Sequence, residues 1–200
     1  MSVPQRPINP RNTVNWIEER MSRERDPRVR ANIAGALRHF VSELRGDVDA
    51  TMATMTAEPT NLFYGYMRGD KTPVPRTIDG AVAMRQSYTA SAAAGTLQAQ
   101  ELDMKYLVAD AGGVVFECFA RFAIATDGLR SMGHAVGDAK FYLYQGMVCC
   151  HFVCDDNSLV IGEHVFLDPA GFEAIEQRPL DEADVVHFTG SSAVDLAQPA

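Results

Sequence analysis

The chain predicts an α+β protein in which a curved antiparallel sheet is wrapped by helices around an apolar pocket. Three observations carry this expectation. Helical periodicity fills the N-terminal part and long strands follow one another in the C-terminal part, a segregation that distinguishes α+β from alternating α/β construction. Tight-turn sequences, Asp110-Ala111-Gly112-Gly113 and Asp155-Asp156-Asn157-Ser158, separate the strands and favour antiparallel neighbours. The last strand, Leu159 to Asp168, alternates: Leu159, Ile161, Val165 and Leu167 fall on one face, with Glu163 in the middle of them. A carboxylate in an apolar row is costly to bury without a partner, so Glu163 is either paired or placed in a cavity for a purpose.

The elements follow in order. Pro4, Pro7 and Pro10 predict an irregular start, and Asn12 can cap a short helix with Val14, Ile17 and Met21 on one face. Asp26-Pro27 opens the next helix, with Asp as N-cap and Pro at its first position. That helix carries Val29, Ile33, Leu37, Phe40, Val41 and Leu44 at spacings of three and four, and Gly46 ends it. Asp47 opens a shorter helix that Pro59 stops. Residues 61–67 (NLFYGYM) read as a strand or edge hairpin, the PVPRTIDG run as loop, and residues 80–94 as a helix capped by Asp79 and closed by Gly95. Strands are expected at 100–109, 114–126, 141–154 and 159–167, and Pro169-Ala170-Gly171 breaks the last. The remainder reads as an extension or loose tail. The organisation expected is an N-terminal extension over 1–25, one domain over 26–175 and a C-terminal extension over 176–200.

With 46% hydrophobic and 22% charged residues, the composition is that of a globular domain with a sizeable core. A formal net charge of -8 argues against nucleic acid or an anionic membrane as partner, because both need clustered cations. The basic run from Arg20 to Arg38 is interleaved with Glu18, Glu19, Glu24 and Asp26 and reads as a solvated helix face. No segment reaches the length of a membrane span, and the first residues hold no apolar signal core, so a cytoplasmic location is expected. Cys118, Cys149, Cys150 and Cys154 sit in apolar strands without CxxC spacing, which points to reduced thiols rather than disulfides or zinc. No phosphate-cradling glycine loop is present. Nothing in the sequence calls for a cofactor or a metal.

Four phrases occur in a telling order: His39-Phe40-Val41 running to Met55 through GDVDATMATM, Phe63-Tyr64, Asp79-Gly80 followed by Arg85 and Tyr88, and Gly162-Glu163-His164-Val165-Phe166-Leu167-Asp168. In this the chain resembles the nuclear transport factor 2-like superfamily, in its SnoaL-like branch, over roughly residues 30–175. The resemblance implies a cone of strongly bent antiparallel sheet with a deep apolar cavity at its wide end, and dimerisation through the sheet. The superfamily holds isomerases, polyketide cyclases, epoxide hydrolases and dehydratases, and also non-catalytic proteins, so fold alone does not fix function. The chain keeps neither the Arg-x-Asp phrase of the epoxide hydrolase-like pattern, offering Glu117-Cys118-Phe119-Ala120-Arg121 instead, nor a complete dehydratase-like histidine pair.

Glu117, Arg121, His151 and Glu163 are the polar residues that interrupt the long strands. Glu117 and Arg121 share a face, two pleats apart, and each needs a partner from another strand. Glu163 either pairs with Arg121 or His151 across the sheet as a buried ion pair, or one carboxylate, Glu163 or Glu117, stays partly desolvated with a raised pKa and acts as a catalytic general acid or base. His151 is the alternative proton shuttle. The resemblance implies that a tyrosine, Tyr64 or Tyr88, donates to a developing oxyanion. Phe63, Phe119, Met84 and Met147 complete the expected lining, with Arg121 and Tyr88 as ligand contacts. The function expected is a cavity for a small apolar carbonyl or hydroxyl compound, with cofactor-independent acid/base chemistry of isomerase, cyclase, dehydratase or hydrolase type. The alternative is a non-catalytic ligand-binding or dimerisation module. Bulky residues on both faces of 141–154 predict a homodimer packed through the sheet.

Overall fold

The computed structural model describes residues 6–67, 69–96 and 98–196. Three helices come first: α1 (Pro10–Ser22), α2 (Pro27–Arg45) and α3 (Val48–Ala53). Asn9 rather than Asn12 caps α1, with Pro10 at the first helical position. The Asp26 side chain accepts from the amides of Arg28 and Val29 to start α2, and Gly46, at φ 67°, closes it.

Strands β1 (Thr60–Met67) and β2 (Pro73–Asp79) precede α4 (Ala81–Ala93). The PVPRTIDG run, expected as loop, is largely strand: β2 pairs antiparallel with β1, in the register Phe63 with Arg76. Two prolines are tolerated there because β2 is the edge of the sheet. Next come β3 (Gln100–Asp110), β4 (Gly113–Ala125), a short α5 (Thr126–Ser131), β5 (Phe141–Cys154) and β6 (Val160–Leu167). The final strand, β7 (Pro179–Leu180), pairs with β5.

The sheet runs β2-β1-β6-β5-β4-β3. This corrects the expected antiparallel cone. The sheet is mixed, because β1 lies parallel to β6, and it is open, because its end strands β2 and β3 do not pair with each other. It is neither strongly curled nor closed. Hairpin signals report neighbours in sequence, whereas β1 enters from the helical half and docks beside the last long strand, a pairing that no turn sequence announces. Close approach makes it possible: a Cβ on Gly162 would lie 2.2 Å from the Thr60 carbonyl oxygen. Gly65, at φ 82°, supplies the irregularity that shifts the β1 register between Phe63 and Tyr66.

One face of the sheet carries the core. Phe116, Cys150, Val165 and Phe63 form a continuous row across β4, β5, β6 and β1. Helices α2 and α4 cover this face with Phe40, Leu44 and Tyr88. Residues 1–5 and 197–200 lie outside the described residues, and the described parts of both terminal segments pack on the body of the protein. Ile8 is fully buried and bridges to Val185, and Phe188 is buried beneath the guanidinium of Arg11 at 4.3 Å. Cys118, Cys150 and Cys154 are buried free thiols, and Cys149 is half-buried. No helix among the described residues is long and apolar enough to cross a membrane.

Candidate functional site

Between the covered face of the sheet and helices α2 and α4 lies a cavity of about 820 Å³. Its wall is mostly apolar, with Phe63, Phe116, Phe122, Val148, Phe152 and Val165 contributing. Such a volume and lining suit a small organic ligand. Three ionisable residues interrupt the apolar wall close to one another: Glu43 from α2, Tyr88 from α4 and Glu163 from β6.

The Glu163 carboxylate is held by weak donors. Asn61 Nδ2 donates to Oε2 at 3.3 Å, and the Cys150 thiol donates to Oε1 at 3.4 Å. No arginine or lysine among the described ion pairs reaches it. Burial, and then the nearby Glu43 carboxylate, push its pKa up to about 7, against the smaller opposing pulls of His39 and the Cys150 bond. Asn61 is itself fixed at the start of β1, where its Oδ1 accepts from the Glu163 amide at 2.8 Å.

His39 completes the cluster. It is fully buried one helical turn before Glu43, so both project from the same side of α2. Its Nε2 lies 3.0 Å from the Tyr88 oxygen and 3.5 Å from Glu43 Oε1, and its Nδ1 lies 2.7 Å from Thr54 Oγ1. Burial disfavours the imidazolium, but Glu43 and Glu163 outweigh it and hold the pKa of His39 above the ordinary value. Tyr88 is pushed well above the usual phenol range, by burial and then by Glu163 and Glu43, so it remains a proton donor. Burial and Glu163 likewise keep the Cys150 thiol protonated.

One ligand atom each from His39, Glu43 and Glu163 all lie within 4.8 Å of one another. Three acceptors so close require positive charge or protons between them. A divalent cation could use such a set. The hydrogen bonds favour protons, because Glu163 already accepts from Asn61 and Cys150, and His39 Nε2 is engaged with Tyr88.

Of the residues singled out from sequence, the structure brings Glu163, Tyr88 and Phe63 to the cavity wall. Met84 is buried in the core nearby but does not line the cavity. The others lie away from it. His151 is directly opposite His164 in the β5–β6 register, with ring centroids 5.7 Å apart, because the inward positions of β5 are Val148, Cys150 and Phe152. Burial and His164 lower its pKa. Glu117 is exposed and Phe119 half-buried on the outward side of β4, whose inward residues are Phe116 and Phe122. Met147 is 37% exposed, and Tyr64 stacks on Phe166 at 4.5 Å, also outside. Arg121 does share the outward face of β4 with Glu117. It is buried there beneath the N-terminal segment, donating to the carbonyls of Arg6 and Pro7 and pairing with Glu101 at 3.4 Å. Neither Arg121 nor His151 is therefore the partner of Glu163.

His39, Glu43, Asn61 and Cys150 were not singled out as site residues. A signal for the first two was present: His39 and Glu43 interrupt the apolar stripe of α2 as Glu163 interrupts that of β6.

No family model matches the chain, and no curated protein resembles it closely in sequence. Solved structures do resemble it in fold. A SnoaL-like polyketide cyclase from Jannaschia sp. CCS1, described as putative, superposes with a TM-score of 0.57 at 19% identity, covering 78% of this chain and 99% of the other. An NTF2-like protein from Burkholderia xenovorans LB400 gives 0.52 at 14% identity, over 74% and 97%. The fold is nuclear transport factor 2-like. TerC, crystallised with polyporic acid, also gives 0.52, at 11% identity over 74% and 98%. At these identities the likeness establishes the fold and leaves the chemistry to the site.

Proposed function

We propose that the cavity is the active site of an enzyme of the SnoaL-like kind, acting on a small, largely apolar compound that bears a carbonyl or hydroxyl group. Glu163 moves the proton. Tyr88 donates a hydrogen bond to the substrate oxygen on which charge develops. Glu43 opposes a second negative charge beside it and so tunes Glu163. The observation that carries this reading is a buried carboxylate in a mostly apolar cavity that, among the described residues, is bonded to no arginine or lysine, so that burial and Glu43 push its pKa up to about 7. A group with that pKa exchanges its proton readily near neutrality, which is what general acid/base catalysis needs. The likeness in fold to the Jannaschia polyketide cyclase and to TerC, co-crystallised with polyporic acid, supports the substrate class, since polyketides and polyporic acid are oxygen-bearing organic molecules.

The experiment is turnover of a panel of small apolar ketones, enones and phenols by the wild type and by Glu163→Gln. The Gln side chain keeps the shape and removes the proton chemistry, so turnover falls by roughly 100-fold or more while binding changes little. Chelation by EDTA leaves turnover unchanged. Equal turnover by the variant removes Glu163 from the chemistry and leaves a ligand-binding module.

The second part of the reading is assembly. The outward face of the sheet exposes Tyr64, Tyr106, Val108, Val115, Met147 and Phe166. These exposed apolar side chains, with Glu117, His151 and His164 among them on the same face, are suited to a second copy of the same surface. We therefore place the homodimer interface there, on the side away from the cavity.

A further inference from the structure

The hydrogen bonds around His39 leave a single degree of freedom, and it bears on Tyr88. Thr54 Oγ1 lies 2.6 Å from the Thr51 carbonyl, which can only accept its proton, and 2.7 Å from His39 Nδ1, so the arrangement that satisfies both contacts has Oγ1 donating to the carbonyl and accepting from Nδ1. In that arrangement Nδ1 carries the proton of the neutral ring, and Nε2 is the atom that gains or loses one. Asn61 is equally fixed. Its Oδ1 accepts from the Glu163 amide, so its Nδ2 faces the Tyr88 oxygen and Glu163 Oε2, each at 3.3 Å, with one amide proton for each. The Tyr88 oxygen thus receives a hydrogen bond from Asn61 throughout. Its other contact among the described residues is His39 Nε2, at 3.0 Å. Whether Tyr88 can donate to Nε2 depends on whether Nε2 already holds a proton; a protonated Nε2 has two acceptors, the Tyr88 oxygen at 3.0 Å and Glu43 Oε1 at 3.5 Å.

We propose that His39 is the positioning residue that turns the Tyr88 hydroxyl. Neutral His39 presents a lone pair at Nε2, and Tyr88 donates to it, so the hydroxyl proton points away from a ligand. As imidazolium, His39 donates from Nε2 to the same oxygen. With Nε2 protonated, and its proton set between the Tyr88 oxygen and Glu43, the Tyr88 oxygen accepts from Asn61 and His39, can no longer donate to Nε2, and leaves its own proton to point into the cavity that Tyr88 lines. In that state the proton meets a carbonyl or other acceptor oxygen of the ligand, strengthened by two donors behind it. Ligands with an acceptor oxygen at this point bind to the protonated form.

The charged groups set against His39 are Glu43 on its own helix and Glu163 on β6, both of which favour the imidazolium. The titratable neutral groups are Tyr88 on α4 and Cys150 on β5, both held protonated. As the pH falls, His39 gains its proton and Tyr88 is released, and as the pH rises the hydroxyl is recaptured. This inference rests on the cavity being a site for an oxygen-bearing ligand, but its test needs no substrate.

The test is an NMR titration over about pH 5 to 9, a range that spans an ordinary histidine. The full chain is labelled with 15N in histidine and 13Cζ in tyrosine, and Tyr88→Phe identifies the Tyr88 signal. The expected result has His39 neutral at high pH as the Nδ1–H tautomer. On acidification Nε2 gains a proton, and the Tyr88 Cζ resonance moves with the same midpoint. In Thr54→Val the lock on Nδ1 is gone and the Nε2–H tautomer appears. A neutral Nε2–H tautomer in the wild type overturns the proposal. So does a Tyr88 resonance that stays still while His39 titrates, or a His39 that does not change state over the range. Glu163 also changes state near pH 7, so the titration is repeated in Glu163→Gln, where a Tyr88 signal that no longer follows His39 overturns the proposal. If Glu163→Gln turns over normally while the two signals remain linked, the catalytic reading fails and this one stands.

Discussion

Glu163 is isolated from every arginine and lysine in the described ion pairs, and that isolation sets the sign of its contribution to stability. Its folded pKa, about 7, lies above the ordinary carboxylate value of 4.5. Below the ordinary value the group is protonated in both folded and unfolded chains and costs nothing. Between the two values only the folded state keeps the proton, so stability falls as the pH rises, by up to about 3 kcal/mol once both are passed. Glu163→Gln has no proton to lose. Urea unfolding of both proteins therefore shows similar stability near pH 4.5, and a variant more stable than the wild type at pH 8. A variant less stable at pH 8 would mean a hidden cationic partner. Tyr88→Phe has the opposite effect: it strips a partner from His39 and from Asn61, and unfolding should show a loss of about 1–3 kcal/mol, the usual penalty for a stranded buried polar group. At this scale the sequence was half legible. A carboxylate in the apolar row of β6 stood out because strand alternation is simple. His39 and Glu43 break a helical stripe, where neighbouring positions around the axis blur inside and outside. His151 and Glu117 were polar residues on the right strands with the opposite facing.

At the scale of elements, facing and pairing explain what was missed. Strand β5 is apolar on both sides, so its alternation carried no sign, and only the register that puts Phe116, Cys150 and Val165 in one row turns His151 outward. The same loss of sign occurs in β6. A register shift between Val153 and Cys154 brings Val160 inside and leaves Ile161 41% exposed, against the simple alternation expected for both. The helices were legible because Asp26-Pro27 and Gly46 are local signals with local causes. The parallel contact of β1 with β6 has no local signal, yet it brings Asn61 to Glu163. It depends on Gly162, where any Cβ meets the Thr60 carbonyl. Gly162→Ala should lower stability by about 2 kcal/mol or more, the scale of strain in a packed strand pair, and a thermal melt would register it. An unchanged melting temperature would show that β1 can move aside at no cost.

On the proposed reading, the two faces of one open sheet have different tasks. The covered face holds the cavity, and the outward face exposes Tyr106 and Val108 at 68% and 69% together with the stacked Tyr64–Phe166 pair. Light scattering at micromolar concentration is expected to give the mass of a dimer, and Phe166→Lys combined with Tyr106→Lys to give a monomer whose cavity still binds ligand. A monomeric wild type would leave that face without its proposed partner. The α+β class and most element positions could be read from helix caps, turns and periodicity. The open, mixed sheet could not, because long-range pairing decides it. The most direct test of the account is the titration of Glu163 itself, followed by 13C NMR of the glutamate side-chain carboxyls with Glu163→Gln as the assignment control. The account predicts a carboxyl that changes state near pH 7, displaced by burial and by Glu43. A midpoint near the ordinary value of 4.5 would show a carboxylate that is fully ionised and satisfied at neutral pH, and would contradict its role as the group that moves the proton.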